Sequence, residues 1–269
     1  MKSLNLGIKN LNTYKIFIFI GIAIGIVLRI LFFSYNRPFW NDECALALNI
    51  KNNWNFFIPL LYNQAAPQLF MYISKCLYSL IPAKEIALKI IPLLSSIGSL
   101  WLFYLLAKKY LTKKISIIVA IFTFSICYPL CYYAQEFKQY SSDVLCFIAI
   151  LLSYFNIDKY ATNKKKIIIY GTICAISIWL SFAAMFALSS IFLTILIFDR
   201  EKLKKFKFAI IPTVISLILF YFSNKYLNSS EYLHAYWKQF FITKNLSNLP
   251  YLMFFNVEYV FNNILPLLF

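Results

Sequence analysis

The chain has 269 residues, of which 61% are hydrophobic, 20% aromatic and only 13% charged. That balance excludes an ordinary water-soluble domain of this length and fits a chain that buries its apolar surface in a bilayer. The formal charge of +16 raises nucleic acid as a partner, but the lysines and arginines fall in short runs between apolar stretches, so no nucleic-acid partner is expected.

The first apolar run, Ile16 to Ser34, follows Lys2, Lys9 and Lys15. It is longer than the core of a signal peptide and lacks a small-residue cleavage site, so it predicts an uncleaved span starting in the cytoplasm. Arg29, near its outer end, is expected to snorkel toward the interface. Residues 35–66 are polar and aromatic. There, Asp42 or Asn41 is expected to cap a helix running to about Ile50, and Trp40 and Trp54 suit an interface. Pro67 to Pro82 is short for a span. Parity decides its placement: if the N-terminus and Lys108–Lys114 share one side, Ile90–Ala107 is the second span and Pro67–Pro82 is a juxtamembrane helix on the outer face.

Ile115–Tyr133 predicts a third span outward, and about Tyr140–Ile157 a fourth returning to Lys164–Lys166. Ile167–Phe198 would measure about 48 Å as one helix, against roughly 30 Å of hydrocarbon. It also joins two basic clusters, which predicts two spans with a turn near Ser181–Ala184. Phe208–Tyr226 leads outward to Glu231, His234, Trp237 and Lys238, and Tyr251–Phe269 is the eighth apolar run. Sixteen of the 26 basic residues lie in the four segments this map makes cytoplasmic. The expected fold class is therefore all-α: a polytopic transmembrane bundle of about eight spans with outer-face juxtamembrane helices. The six cysteines, Cys44, Cys76, Cys127, Cys131, Cys146 and Cys174, show no metal-ligand spacing and read as packing residues.

Ten acidic residues are few enough to sort. Asp158, Asp199 and Glu201 sit beside cytoplasmic lysines, and Glu85 lies between Lys84 and Lys89. Asp143 and Glu258 fall in or beside apolar runs, where an ionisable group is costly. Asp42, Glu43, Glu136 and Glu231 remain on the outer side; the first three each directly follow a predicted outward span, so their carboxylates can converge at one membrane face. Paired acids there suit sugar chemistry: a carboxylate takes a proton from an acceptor hydroxyl as its oxygen attacks an anomeric carbon. Lys138 can offset the charge of a departing phosphate. An Asp-Glu pair after a helix is also what a cap and a solvated charge look like. The spacing demands no cofactor, although paired acids can hold a divalent cation through oxygen.

Several strings carry a resemblance. Arg37-Pro-Phe-Trp-Asn-Asp42-Glu43-Cys-Ala-Leu-Ala resembles the first outer loop of the glycosyltransferase C superfamily. The branch in question holds protein O-mannosyltransferases, the lipid A aminoarabinose transferase and related bacterial lipopolysaccharide sugar transferases. Asn63-Gln-Ala-Ala-Pro67-Gln-Leu-Phe-Met-Tyr72 is similar to that branch's Pro-Pro-Leu-Tyr-Tyr segment, with Gln68 in place of the second proline. Ala87-Leu-Lys89-Ile-Ile-Pro92 is similar to its Ala-Leu-Arg-Leu-Pro entry to a span, with Lys89 for Arg. Tyr133-Ala-Gln-Glu136-Phe-Lys138-Gln-Tyr140 resembles its Ala-Gln-Glu-x-Arg-x-Tyr motif, with Lys138 for Arg. His234-Ala-Tyr236-Trp237 resembles the Tyr-Trp of a later outer loop. Together these cover about residues 16–240 in the family's order.

The resemblance implies inverting transfer of a sugar from a polyprenyl-phosphate donor to a lipid, glycan or protein acceptor. It places the reaction at the extracytoplasmic face of a bacterial inner membrane, in cell-envelope synthesis. It implies Asp42 as general base with Glu43 beside it and Glu136 as the second acid. Arg37, Trp40, Gln64, Lys138, Tyr140, His234 and Trp237 would bind substrate. Such relatives run well beyond 269 residues, so residues 1–269 would correspond to their N-terminal transmembrane module. Two rival readings stay open: a transporter or flippase of lipid-linked sugars, which would place acids within spans and show repeated halves, and a truncated, inactive remnant.

Overall fold

The computed structural model describes residues 11–52, 54, 60–62, 64–155, 163–198 and 200–224, with isolated positions beyond. It is all-α, with no strand among the described residues. The elements are α1 (Leu11–Tyr35), α2 (Asn41–Lys51), α3 (Gln68–Leu80), α4 (Lys84–Tyr110), α5 (Lys114–Ile126) and α6 (Tyr128–Tyr132). They continue with α7 (Tyr140–Phe155), α8 (Lys164–Leu180), α9 (Ala183–Phe198) and α10 (Arg200–Ser223). Helix α1 and helix α4 are each long and apolar enough to cross a bilayer, while the apolar parts of α5, α7, α9 and α10 are shorter. Large apolar side chains face outward from these helices, among them Phe19, Leu31, Phe186, Ile197 and Phe222. The eighth predicted run, Tyr251–Phe269, lies outside the described residues but for Met253, and so do His234, Trp237 and Glu258.

Every other predicted run coincides with a helix, with three corrections. The third run is broken: α5 stops at Ile126 and α6 starts at Tyr128. Pro129 has no N–H to offer Ser125 four residues back. The freed Ser125 carbonyl instead accepts Arg29 Nη1 at 3.1 Å and the Cys131 thiol at 3.4 Å. Arg29 is the second correction. It does not snorkel: it is fully buried, with Nε on Ser96 Oγ at 2.8 Å and Nη1 on Gly25 O at 2.9 Å. One guanidinium thus ties α1 to α4 and to the α5–α6 break.

The third concerns the cap of α2. The capping position is Trp40, not Asn41 or Asp42, and Glu43 reaches back from the first turn to accept the Trp40 N–H at 2.9 Å. That is the return half of a capping box. The turn expected near Ser181–Ala184 falls between α8 and α9. Ser181 Oγ accepts the Ala184 N–H at 3.1 Å and donates to Asp143 Oδ1 at 2.6 Å. Asp143, on α7, therefore secures the first turn of α9, the favourable end of a helix for a carboxylate.

Small residues set the closest crossings. A Cβ on Gly171 of α8 would lie 2.5 Å from the Ala209 Cα of α10, so only glycine admits this approach. On α1, Gly25 sits against Leu100 of α4 and Ser125 of α5. Three buried clusters result. One joins α7 to α10 around Ile150, Tyr170, Ile191 and Phe206. Another joins α1, α4 and α5 around Ile18, Ala107 and Ile121. The third, Leu46, Ile50, Phe70, Met71, Leu88 and Phe137, lies under the acidic segment.

Candidate active site

The site is assembled from the turn before α2, the first turn of α2, and residues 133–139 between α6 and α7. Glu43 is its centre. The side chain is fully buried, and its oxygens are spoken for: Oε2 accepts Arg37 Nη1 at 2.7 Å and the Trp40 N–H at 2.9 Å. Oε1 accepts the Phe137 backbone N–H at 2.6 Å. Charge-assisted bonds of this kind are the strong ones, and here they join segments ninety-four residues apart.

Phe137 is the pin on the other side. Its ring is buried, 5.6 Å from the Phe70 ring and 6.2 Å from Phe39. Its backbone is bent tightly, with the Lys138 N–H 2.7 Å from the Glu136 carbonyl. With Phe137 fixed inward by ring and amide, the side chains on either side turn to the α2 segment. Glu136 Oε2 comes to 3.3 Å from Arg37 Nη2. Lys138 Nζ lies 3.3 Å from Asp42 Oδ2 and 3.1 Å from Gln64 Oε1. Arg37 also donates to the Pro38 carbonyl at 2.9 Å and stands 5.2 Å over the Tyr132 ring. Its Nη2 is within ion-pair distance of Glu136, yet Nη2 and Nε make no hydrogen bond.

The three carboxyls differ in kind. Asp42 is open, its side chain 66% exposed, whereas that of Glu136 is 12% exposed. Burial, and next the negative charge of Glu43, push the Glu136 carboxyl up from its ordinary 4.5 to about 7. Arg37 and Lys138 pull against that rise, and Asp42 adds to it. Glu136 therefore changes charge near neutrality, where a carboxyl can either accept or donate a hydrogen bond.

Of the ten candidate site residues, seven meet in two groups, Arg37 with Trp40, Glu43 and Glu136, and Lys138 with Asp42 and Gln64, which the Lys138–Glu136 backbone bond links. Besides its backbone bond to Glu43, Trp40 donates its indole N–H to Tyr132 OH at 3.1 Å. Tyr140 opens α7. Its ring meets Tyr133 edge-on at 4.8 Å beside a cavity of about 240 Å³ shared with Ser96 and Ser141. His234 and Trp237 lie outside the described residues. Tyr132, which carries both Arg37 and Trp40, is a site residue that the sequence reading does not single out. Among the described residues no three His, Cys, Asp or Glu side chains converge as metal ligands. The acids are met instead by Arg37, Lys138 and backbone amides.

Comparison of the chain with protein-family models, with curated proteins and with solved structures finds no match.

Proposed function

We propose that this chain is a polytopic membrane glycosyltransferase of about eight spans. Its N-terminus is cytoplasmic, and it acts at the outer face of a bacterial inner membrane. It moves a sugar from a polyprenyl-phosphate donor to a lipid, glycan or protein acceptor, with inversion. The membrane part of this reading is supported by the apolar exterior of α1, α9 and α10 and by the basic runs between them. An apolar cavity of about 450 Å³ between α8, α9 and α10 offers room for hydrocarbon. The observation that carries the reading is the gathering of Asp42, Glu43 and Glu136, remote in sequence, around Arg37 and Lys138.

In this reading Asp42 is the proton acceptor, since its carboxylate is open to an incoming hydroxyl. The acceptor oxygen attacks the anomeric carbon from the face opposite the phosphate as its proton passes to Asp42. The anomeric C–O bond breaks, and the polyprenyl phosphate leaves with the electron pair. Lys138, beside Asp42, meets the charge on that phosphate, and the positive charge of Arg37, held between Glu43 and Glu136, adds to it. Glu43 does not take part in proton transfer. It holds Arg37 and the Phe137 segment in register. Glu136, ionising near neutrality, orients sugar hydroxyls.

The test is donor consumption by the purified full chain in detergent, where vectorial transport has no meaning. Labelled polyprenyl-phosphate sugars should release polyprenyl phosphate when an acceptor extract is added. Donors that stay intact across the common sugars would overturn the proposal.

A further inference from the structure

Lys89 occupies the second turn of α4 and has no exposed surface. A sealed ammonium carries three N–H donors and is costly unless they find acceptors. Two acceptors come from the turn that precedes α2: Asn36 Oδ1 at 2.9 Å and the Arg37 backbone carbonyl at 2.6 Å. The Phe39 ring adds a cation–π contact, its centroid 5.0 Å from Nζ. Asn36 holds φ at 44°, the left-handed region that few residues other than glycine adopt and that asparagine tolerates.

The turn is thus gripped from below at the residue whose side chain does the linking above. Arg37 gives its carbonyl to Lys89 and its guanidinium to Glu43 and Glu136. Phe39, in contact with Lys89, also packs on Phe137, the residue that bonds Glu43. A methionine of similar reach would be buried on α4 with no desolvation cost. What the ammonium contributes is therefore the two bonds and the Phe39 contact that fix the turn.

We propose that Lys89 is a positioning residue: by fixing the Asn36–Arg37 turn it sets where the Arg37 guanidinium meets Glu136. Its effect on transfer rests on the glycosyltransferase reading, but its effect on geometry does not. The groups facing Glu136 are Glu43, Arg37, Lys138 and Asp42, and of these Arg37 is the one that Lys89 holds through its backbone.

The experiment is an infrared titration of the Glu136 carboxyl in the full-length protein, assigned by subtracting Glu136→Gln. Arg37 favours the ionised form, so Lys89→Met, which releases the turn, should move the Glu136 midpoint upward by roughly one pH unit. Asn36→Gly deletes one acceptor while keeping the left-handed turn accessible, and should move it the same way by less. It serves as the reading should Lys89→Met not fold. Transfer by Lys89→Met should fall about 10–100-fold with misplacement of the site. An unmoved midpoint in the folded variants would overturn the positioning role. A midpoint that moves in a protein without transfer activity would instead overturn the function and leave the positioning role standing.

Discussion

The Phe137 backbone N–H donates to Glu43 Oε1 at 2.6 Å, and this bond fixes where the second acidic segment lies against the first. Glu43 also neutralises the Arg37 side chain, itself 11% exposed. Glu43→Ala would take one acceptor from that guanidinium, leaving it the Pro38 carbonyl and Glu136, and would strip two amides of theirs, at a cost of about 3–5 kcal/mol. Glu43→Gln keeps the shape and some of the bonds, and should cost about 1–3 kcal/mol. Thermal unfolding in detergent reads both. Equal stability of wild type and Glu43→Ala would contradict the central place given to this carboxylate.

Glu136 makes stability depend on pH in an unusual direction. Its carboxyl binds a proton in the folded state up to about pH 7, whereas its ordinary value is 4.5. Between those values the native state holds the extra proton, so this group's contribution to stability falls as pH rises. Glu136→Gln removes the effect. The melting temperature of the variant minus that of wild type should grow from about pH 5 to about pH 8. A constant or shrinking difference would show that Glu136 does not titrate as described.

The α8–α10 crossing depends on Gly171. With the Ala209 Cα only 2.5 Å from where a Cβ would stand, backbone rather than a flexible side chain must yield. Gly171→Ala should cost about 1–3 kcal/mol, and Gly171→Leu more. Unchanged melting of Gly171→Leu would mean that the two helices do not cross there.

How much of this was legible in sequence varies with the physics. The α8–α9 break was legible because a largely apolar run of 32 residues exceeds a bilayer and joins two basic clusters. The α5–α6 break at Cys127 has its signal in Pro129, but apolarity alone runs straight through it. Arg29 in an apolar run looks the same whether it snorkels or turns inward. Its partners are two backbone carbonyls, a serine and a cysteine sulfur, none with a signature. The grouping of Asp42, Glu43 and Glu136 was legible because each directly follows an apolar run predicted to lead outward. That Glu43 is the sealed member was not, because its decisive partner is the Phe137 amide, and every residue except proline has one.

Orientation can be read with a native thiol. Cys44 is exposed, one residue after Glu43 on α2. A membrane-impermeant maleimide should label Cys44 on intact spheroplasts and lose that signal in Cys44→Ala. Cysteines placed at Lys109 or Lys165 should react only after lysis. Labelling at position 165 before lysis would invert the map and put the acids in the cytosol.

Asp42→Asn in the detergent transfer assay tests the assignment of the proton acceptor most directly. Expression and melting should stay normal, because the Asp42 side chain is two-thirds exposed, while transfer should fall by about 10²–10⁴-fold. Transfer at the wild-type rate would contradict that assignment.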